Sequence, residues 1–508
     1  MQQETPDNAQ QGPPPKRRRR RRALFRLGAV GVGLLPFVLI ELLCAAFDWG
    51  RPDFHDDPFV GFSSIQPLFV RSADGSRYEI ARSRLAFFRP DSFAAVKPPG
   101  EFRIFCLGGS TVQGRPFAIE TSFTTWLEML LRLADPARRW EVVNCGGISY
   151  ASYRLVPILE EVLRHQPDLI VLYTGHNEFL EDREYGHVRD IPAAVARPAE
   201  LLARTRTFHL ARSAWSRLRG VPSRPGARAV LGPETDTILD YKGGLARYHR
   251  DDAWRRGVME HYRANLRRMV GLCRQAGVPV VLVNPVTNLR DCPPFKSQHR
   301  DGLTAGQLPR WEALCRQAGH VIGGDPFRAA DLLRQAAGID GEYAGLHYLL
   351  GRCLDRMGRP AEARAAYLRA KDLDVCPLRM LEPMHADVLA IAGQTRAPLV
   401  DARAMFEKRS KGGVLGAGLL VDHVHPSIPG HRLLAEALLE ELARQGFVRP
   451  RPGWRQRGEQ AAREHLDSLG DFYFAKGRER LESLRKWAAG RATLVHTEGP
   501  PPPRVPDP

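Results

Sequence analysis

Four short runs in this chain are apolar at nearly every position: Phe102 to Leu107, Val142 to Val143 just ahead of Asn144, Leu169 to Tyr173, and Val278 to Val283. Runs of this length that do not alternate with polar residues read as strands covered on both faces. Strands of that kind occur in parallel sheets sandwiched between helices. Residues 253–277 have helical spacing, and Ala397 to Ala402 supplies a last strand. The fold class predicted is α/β with an open parallel sheet, whose binding crevice lies at the carboxyl ends of the strands.

The segments just after three of these runs carry chemistry. Leu107-Gly108-Gly109-Ser110-Thr111 sets a serine where a buried strand turns into a helix. A serine hydroxyl is a weak nucleophile until a base lies within hydrogen-bond reach and a third group orients that base. Val421-Asp422-His423-Val424-His425-Pro426 supplies such a pair: Asp422 orients and His425 takes the proton, with His423 and His431 as rival bases. At the start of a helix, Ser110 has free N–H groups and the positive dipole end nearby, which suit a developing oxyanion. The small-residue loop Cys145-Gly146-Gly147-Ile148-Ser149 exposes further N–H groups, and Asn177, in Gly175-His176-Asn177-Glu178, offers a carboxamide donor.

Taken in this order, the blocks resemble those of the SGNH (GDSL-like) hydrolases. The resemblance covers roughly residues 100–180, 278–286 and 398–442. It implies a flavodoxin-like three-layer α/β/α fold, catalysis by Ser110, Asp422 and His425, and an oxyanion hole of Ser110 N–H, Gly147 or Ser149 N–H, and Asn177. Two positions depart from the pattern. Gly109 stands where many members carry Asp, and the family's oxyanion glycine, counted from Asn144, falls at Ser149. No cofactor and no metal is implied; zinc binding by His423, His425 and His431 is the weaker reading, since nothing near them resembles a ligand set.

The N-terminus bears on location. Residues 1–22 read as a basic disordered tail containing an unbroken cationic run from Lys16 to Arg22, and residues 23–47 as a transmembrane helix, apolar from Leu27 to Phe47 apart from Glu41. About 20 apolar residues span a bilayer, and the basic flank should stay cytoplasmic. The rest of the chain is then expected outside the cytoplasm, in the periplasm if bacterial. The apolar stretch is long and no convincing small-x-small cleavage site precedes Asp48, which favours an uncleaved anchor over a signal peptide. Of the net charge of +17, eight charges come from Lys16, Arg17 to Arg22 and Arg26. No nucleic-acid-binding module is evident.

The whole chain, at 508 residues and 43% hydrophobic content, is long enough for a sizeable core in two or three domains. The hydrolase domain is expected in two parts, 48–285 and 397–445, split by a helical insert at 286–396. Within the insert, about residues 343–375, with Gly351, Ala363, Tyr367 and Ala370 at helical spacing around Gly358-Arg359-Pro360, resemble one tetratricopeptide repeat. Such a unit should stack on helices near 308–317 and 325–336. Residues 446–490 read as further helices, and 491–508 as a disordered Pro-rich tail. The eight cysteines form no CxxC pair and read as buried thiols, with Cys292 and Cys315 as the one candidate disulfide.

The function expected is that of a membrane-anchored serine esterase cleaving acyl or acetyl carboxylic esters through an acyl-serine. The alternatives are a cell-envelope glycan O-acyltransferase or deacetylase using the same triad, and a membrane-tethered assembly factor with an inactive hydrolase domain. Candidate substrate-binding residues are Arg290 and Asn288, just after the fourth strand, and Glu178, beside Asn177. Expected partners are an acyl ester or acylated glycan, the membrane, and a protein docked on the repeat.

Overall fold

The computed structural model describes residues 33, 35–44, 46, 47, 57, 59–183, 207, 229–240 and 244–491. Its contacts divide the chain into two units, residues 1–61 with 185–229, and residues 62–184 with 230–508.

In the first unit, residues 35–44 are helical and carry Leu35, Phe37, Val38, Leu39, Ile40, Leu42 and Leu43 exposed. Glu41, the one acid in this run, accepts hydrogen bonds from the N–H (2.9 Å) and hydroxyl (2.7 Å) of Thr207. Among the described residues no helix is long and apolar enough to cross a membrane. The basic tail, residues 23–32 of the expected span, and 492–508 of the expected Pro-rich tail lie outside the described residues.

The second unit opens with a small antiparallel sheet of β1 (Phe69–Arg71), β2 (Arg77–Ile80) and β3 (Ser92–Ala94). The central parallel sheet comes next: β4 (Glu101–Gly108), β5 (Arg139–Gly146), β6 (Leu169–Tyr173), β7 (Val280–Val283) and β8 (Leu399–Val400). Its spatial order is β8-β7-β6-β4-β5. Counted from β4 as the first strand this is the order 2-1-3-4-5, the flavodoxin-like arrangement, whose topological switch lies between β4 and β6.

Both faces of the sheet are buried, which explains why its strands read as unbroken apolar runs. Ile104, Cys106, Leu169, Val171, Tyr173, Val281 and Val283 share one core with Trp126, Leu127, Leu131, Leu434 and Leu438, from helices Phe123–Ala134 and Ile428–Arg444. The alternate residues Phe105, Leu107, Ile170, Leu172, Val280 and Leu282 are buried as well. Helices Ser152–Val162, Asp252–Gln275 and Glu382–Thr395 pack together on that side. Beyond Arg444, helices Trp454–Ser468 and Gly470–Arg491 return to the first face, where Trp454 and Ala462 join the core and the Tyr473 hydroxyl meets Thr121 at 2.8 Å.

Between β7 and β8 run four successive helices, Gln307–Val321, Pro326–Ile339, Ala344–Arg356 and Pro360–Asp372. Residues Ala363, Tyr367 and Ala370 are buried as their spacing required. Gly351 is needed as glycine, because a Cβ there would come within 2.7 Å of the Tyr367 ring. All eight cysteines are buried, and Cys292 and Cys315 form no disulfide with each other.

Glycine also fixes the end of β4. A Cβ on Gly108 would lie 2.1 Å from the Tyr173 carbonyl oxygen and 2.4 Å from Val112 Cγ2. Overpacking of this kind costs about 1–3 kcal/mol or more. Gly108→Ala is therefore expected to lower unfolding stability by about 2 kcal/mol or more, as read by urea denaturation; an unchanged midpoint would contradict the close approach of β4 to β6.

Candidate active site

Ser110 begins a single helical turn, Ser110–Gln113, directly after β4, and Gly114 closes the turn in the left-handed region at φ 92°. The turn lies against the end of β5, where a Cβ on Gly146 would meet the Gln113 backbone nitrogen at 2.2 Å. Asn144 ties the pieces together: its Nδ2 donates to the Val112 carbonyl at 2.7 Å, while its Oδ1 accepts from Gly146 N–H at 3.0 Å.

The Asp-x-x-His segment reaches the same point from a loop ahead of helix Ile428–Arg444. Asp422 Oδ1 accepts from the Val424 (2.9 Å) and His425 (2.8 Å) backbone N–H groups, a local turn that folds the histidine back over the acid. Asp422 Oδ2 lies 2.6 Å from His425 Nδ1, and His425 Nε2 lies 2.8 Å from Ser110 Oγ. The structure thus joins Asp422, His425 and Ser110 in one hydrogen-bonded row, closed between residues 315 positions apart. Burial by itself would raise the Asp422 carboxyl, but the His425 and His423 rings and the hydrogen bonds from His425 outweigh it and hold the group well below the usual carboxylate range. A carboxylate that stays ionised suits a partner for an imidazolium.

The rival histidines have other surroundings. His423 Nδ1 stands 3.6 Å from Asp422 Oδ1, the oxygen not used by the His425 ring, and burial pushes its ring down to about 4. His431 Nδ1 accepts from the Phe123 N–H at 3.2 Å, and burial pushes it down to about 3. His423 and His425 thus face different oxygens of the same carboxylate, Asp422, while His431 faces the Phe123 N–H. Among the described residues no group of His, Cys, Asp and Glu is arranged to hold a metal ion.

The donors around Ser110 are separated by what their N–H groups already bond. Gly147 N–H donates to the Gly108 carbonyl at 3.0 Å and is committed to the sheet end, which removes it from the pair expected for the oxyanion. Ser149 N–H and Ser110 N–H donate to no described acceptor. Ser149 has φ 62°, a left-handed conformation that favours glycine. Asn177 Nδ2 donates to the Tyr150 carbonyl at 3.0 Å, which sets its carboxamide beside the 147–150 turn. It also explains Gly109: a Cβ there would lie 2.6 Å from Asn177 Nδ2, so the carboxamide occupies the space that a side chain would need.

The three residues expected to contact substrate have internal partners instead. Arg290 is turned into the repeat, with Nε and Nη2 on the Asp355 carboxylate at 2.5 and 3.0 Å and Nη2 on the Lys411 carbonyl at 2.8 Å. Glu178 is fully buried and accepts from Ser152 N–H (2.8 Å) and Ser152 Oγ (2.9 Å), capping a helix rather than facing a ligand; burial raises its carboxyl. Asn288 is close to the site but beneath it: its Nδ2 donates to the Asp422 carbonyl at 3.0 Å and its N–H to the His423 carbonyl at 2.9 Å. It positions the Asp422 turn. None of these partners is near in sequence, so spacing alone does not reveal them.

Comparison with known proteins gives one family match and several distant structural ones. Residues 323–375 match the tetratricopeptide repeat family. Solved structures similar to the chain include Axe2, an acetylxylan esterase from Geobacillus stearothermophilus, with 15% identity over 67% of this chain and 94% of that one at a TM-score of 0.30. A protein described as lipolytic, of the G-D-S-L family from Desulfitobacterium hafniense DCB-2, has 11% identity over 67% and 99% at 0.30. The acetyl xylan esterase AlAXEase has 12% over 67% and 98% at 0.29. No curated protein matches the chain.

The depressed ring of His431 gives a test with a definite sign. The folded protein holds this ring neutral down to about pH 3, whereas the unfolded chain protonates it near 6.5. Its contribution to stability is therefore complete above about pH 6.5 and declines as pH falls toward 3, by at most about 1.4 kcal/mol per pH unit. His431→Gln keeps an acceptor for the Phe123 N–H. The stability of wild type relative to this variant should rise between about pH 4 and 6.5 and level off above; a difference independent of pH would contradict the buried neutral ring.

Proposed function

We propose that this protein is a serine esterase of the GDSL type, hydrolysing carboxylic esters through an acyl-serine. The observation that carries the reading is the continuous row from the Asp422 carboxylate through the His425 ring to Ser110 Oγ, at 2.6 and 2.8 Å. In the proposed reaction Ser110 Oγ bonds to the ester carbonyl carbon as its proton passes to His425 Nε2, and Asp422 stabilises the imidazolium that forms. The carbonyl oxygen gathers negative charge opposite the Ser110 and Ser149 N–H groups and Asn177 Nδ2. Collapse of this adduct breaks the bond to the alcohol oxygen, which leaves with the proton from His425. Water, deprotonated by the same ring, then releases the acyl group as the acid and restores Ser110.

Residues 16–47 support a membrane-anchored form of this enzyme. A cationic run precedes an apolar stretch, and in its described part the large apolar side chains are exposed on a helix. The basic flank assigns the N-terminus to the cytoplasm and the hydrolase domain to the other side. The tetratricopeptide match at 323–375 favours a protein partner on the insert.

Full-length protein in detergent, treated with a fluorophosphonate probe and with p-nitrophenyl esters of graded acyl length, provides the test. Labelling and turnover should both vanish in Ser110→Ala. Asp422→Asn should lower kcat by about 10³–10⁴, and Asn177→Ala by about 10²–10³. A folded wild type that neither labels nor turns over would overturn the esterase reading.

A further inference from the structure

Three arginines from distant parts of the chain meet beside the Ser110 turn without carboxylate partners. Arg115 comes directly after that turn, its N–H donating to the Ser110 carbonyl at 3.2 Å. Arg89 ends a segment whose Phe87 carbonyl accepts both from Gln113 Nε2 (2.7 Å) and from Ile148 N–H (2.8 Å), which fixes it between the nucleophile turn and the Ser149 loop. Arg480 comes from the last helix, which lies over this corner, a Cβ on Gly477 falling 2.0 Å from the Phe117 ring; its Nη1 donates to the Phe117 carbonyl at 2.9 Å.

Two arginines buried elsewhere in this unit are matched to acids. Arg154 is held by Glu181, and Arg103 by Glu101, with side chains only about 2% exposed or less. The corner beside Ser110 differs. Among the described residues Arg89 and Arg115 make no ion pair and no hydrogen bond through their guanidinium groups, and the Nε atoms of both are buried without a partner. Burial and the like charges around them push both guanidinium groups down from their ordinary values: Arg480 acts on Arg89, and Arg89 and Arg480 act on Arg115. The opposing carboxylates are Glu120, acting on Arg89, Asp422, acting on Arg115 and already bonded to His425, and Glu479, next to Arg480 and already bonded to Lys476. Three like charges drawn together at a site, two of them with buried donors unused, are stabilised by an anion that supplies oxygen acceptors to guanidinium groups.

Resting on the esterase reading of Ser110, we propose that Arg89, Arg115 and Arg480 form an anion-recognition subsite, so that the preferred substrate is an ester carrying a carboxylate or similar anionic group near the scissile bond. The cluster binds the charged group and sets the ester over Ser110, and it does no bond-making itself. A polymer or small molecule with acidic groups next to O-acyl groups fits this chemistry, whereas a neutral acylated chain leaves the three charges unmatched.

Matched esters test this. 4-Acetoxybenzoate carries its charge on the alcohol side and is compared with its neutral methyl ester; 4-nitrophenyl hydrogen succinate carries it on the acyl side and is compared with 4-nitrophenyl butyrate. For at least one pair, kcat/KM of full-length wild type should favour the anionic member by about tenfold or more, mainly through KM, with the preference shrinking as salt is added. Arg115→Gln and Arg480→Gln should each bring that ratio toward unity, and Arg115→Lys should restore part of it. Calorimetry of both anionic esters with Ser110→Ala gives a readout independent of turnover: binding is expected, and it should be lost on adding Arg115→Gln. Turnover of both members of each pair at equal efficiency overturns the subsite while leaving the esterase reading intact. Binding that depends on Arg115 in a protein without turnover overturns the esterase reading and keeps the subsite. Absence of binding by the folded Ser110→Ala protein overturns the subsite whatever the turnover.

Discussion

The geometry at the crevice depends on backbone coming closer to backbone than any side chain allows. Gly108, Gly109 and Gly146 each stand where a Cβ would fall 2.1 to 2.6 Å from a neighbouring atom: the Tyr173 carbonyl, the Asn177 carboxamide and the Gln113 backbone. Through these gaps the Ser110 turn settles into the ends of β4, β5 and β6, and Asn177 approaches to stand beside it. The orienting hydrogen bonds of Asn144 to the Val112 carbonyl and from the Gly146 N–H depend on that closeness, since a carboxamide reaches only about 3 Å from its own atoms to a partner.

Much of this was readable from the chain because the governing patterns are local. A strand buried on both faces shows as a continuous apolar run, and the runs at 102–107, 169–173 and 278–283 became β4, β6 and β7. The Asp-x-x-His turn is likewise local, as Asp422 accepts from N–H groups two and three positions along. The repeat was legible from small and aromatic spacing, although the family match begins about twenty residues before the segment expected from that spacing, taking in the preceding helix.

What was not legible depends on partners far away in sequence. Arg290, directly after a strand at the crevice, had every local reason to face a ligand, and Asp355 on a repeat helix takes it. Glu178 adjoins Asn177, yet it faces the opposite way, into a helix start. Gly147 looked as available as Ser149 until the Gly108 carbonyl was found to hold its N–H. The arginines at 89, 115 and 480 gave no motif at all, because their meeting requires the last helix to fold back over Phe117.

The position of the helical insert has a consequence of its own. The chain leaves β7 at Val283 and rejoins the neighbouring strand β8 at Leu399, paired in register with Leu282. The insert is therefore an enlarged crossover rather than an appendage, and lengthening such a connection costs little in closure entropy. Because a strand is left only from its carboxyl end, and the four insert helices come before helix Glu382–Thr395 leads back to β8, the insert is grown into the half of the crossover that starts at the crevice.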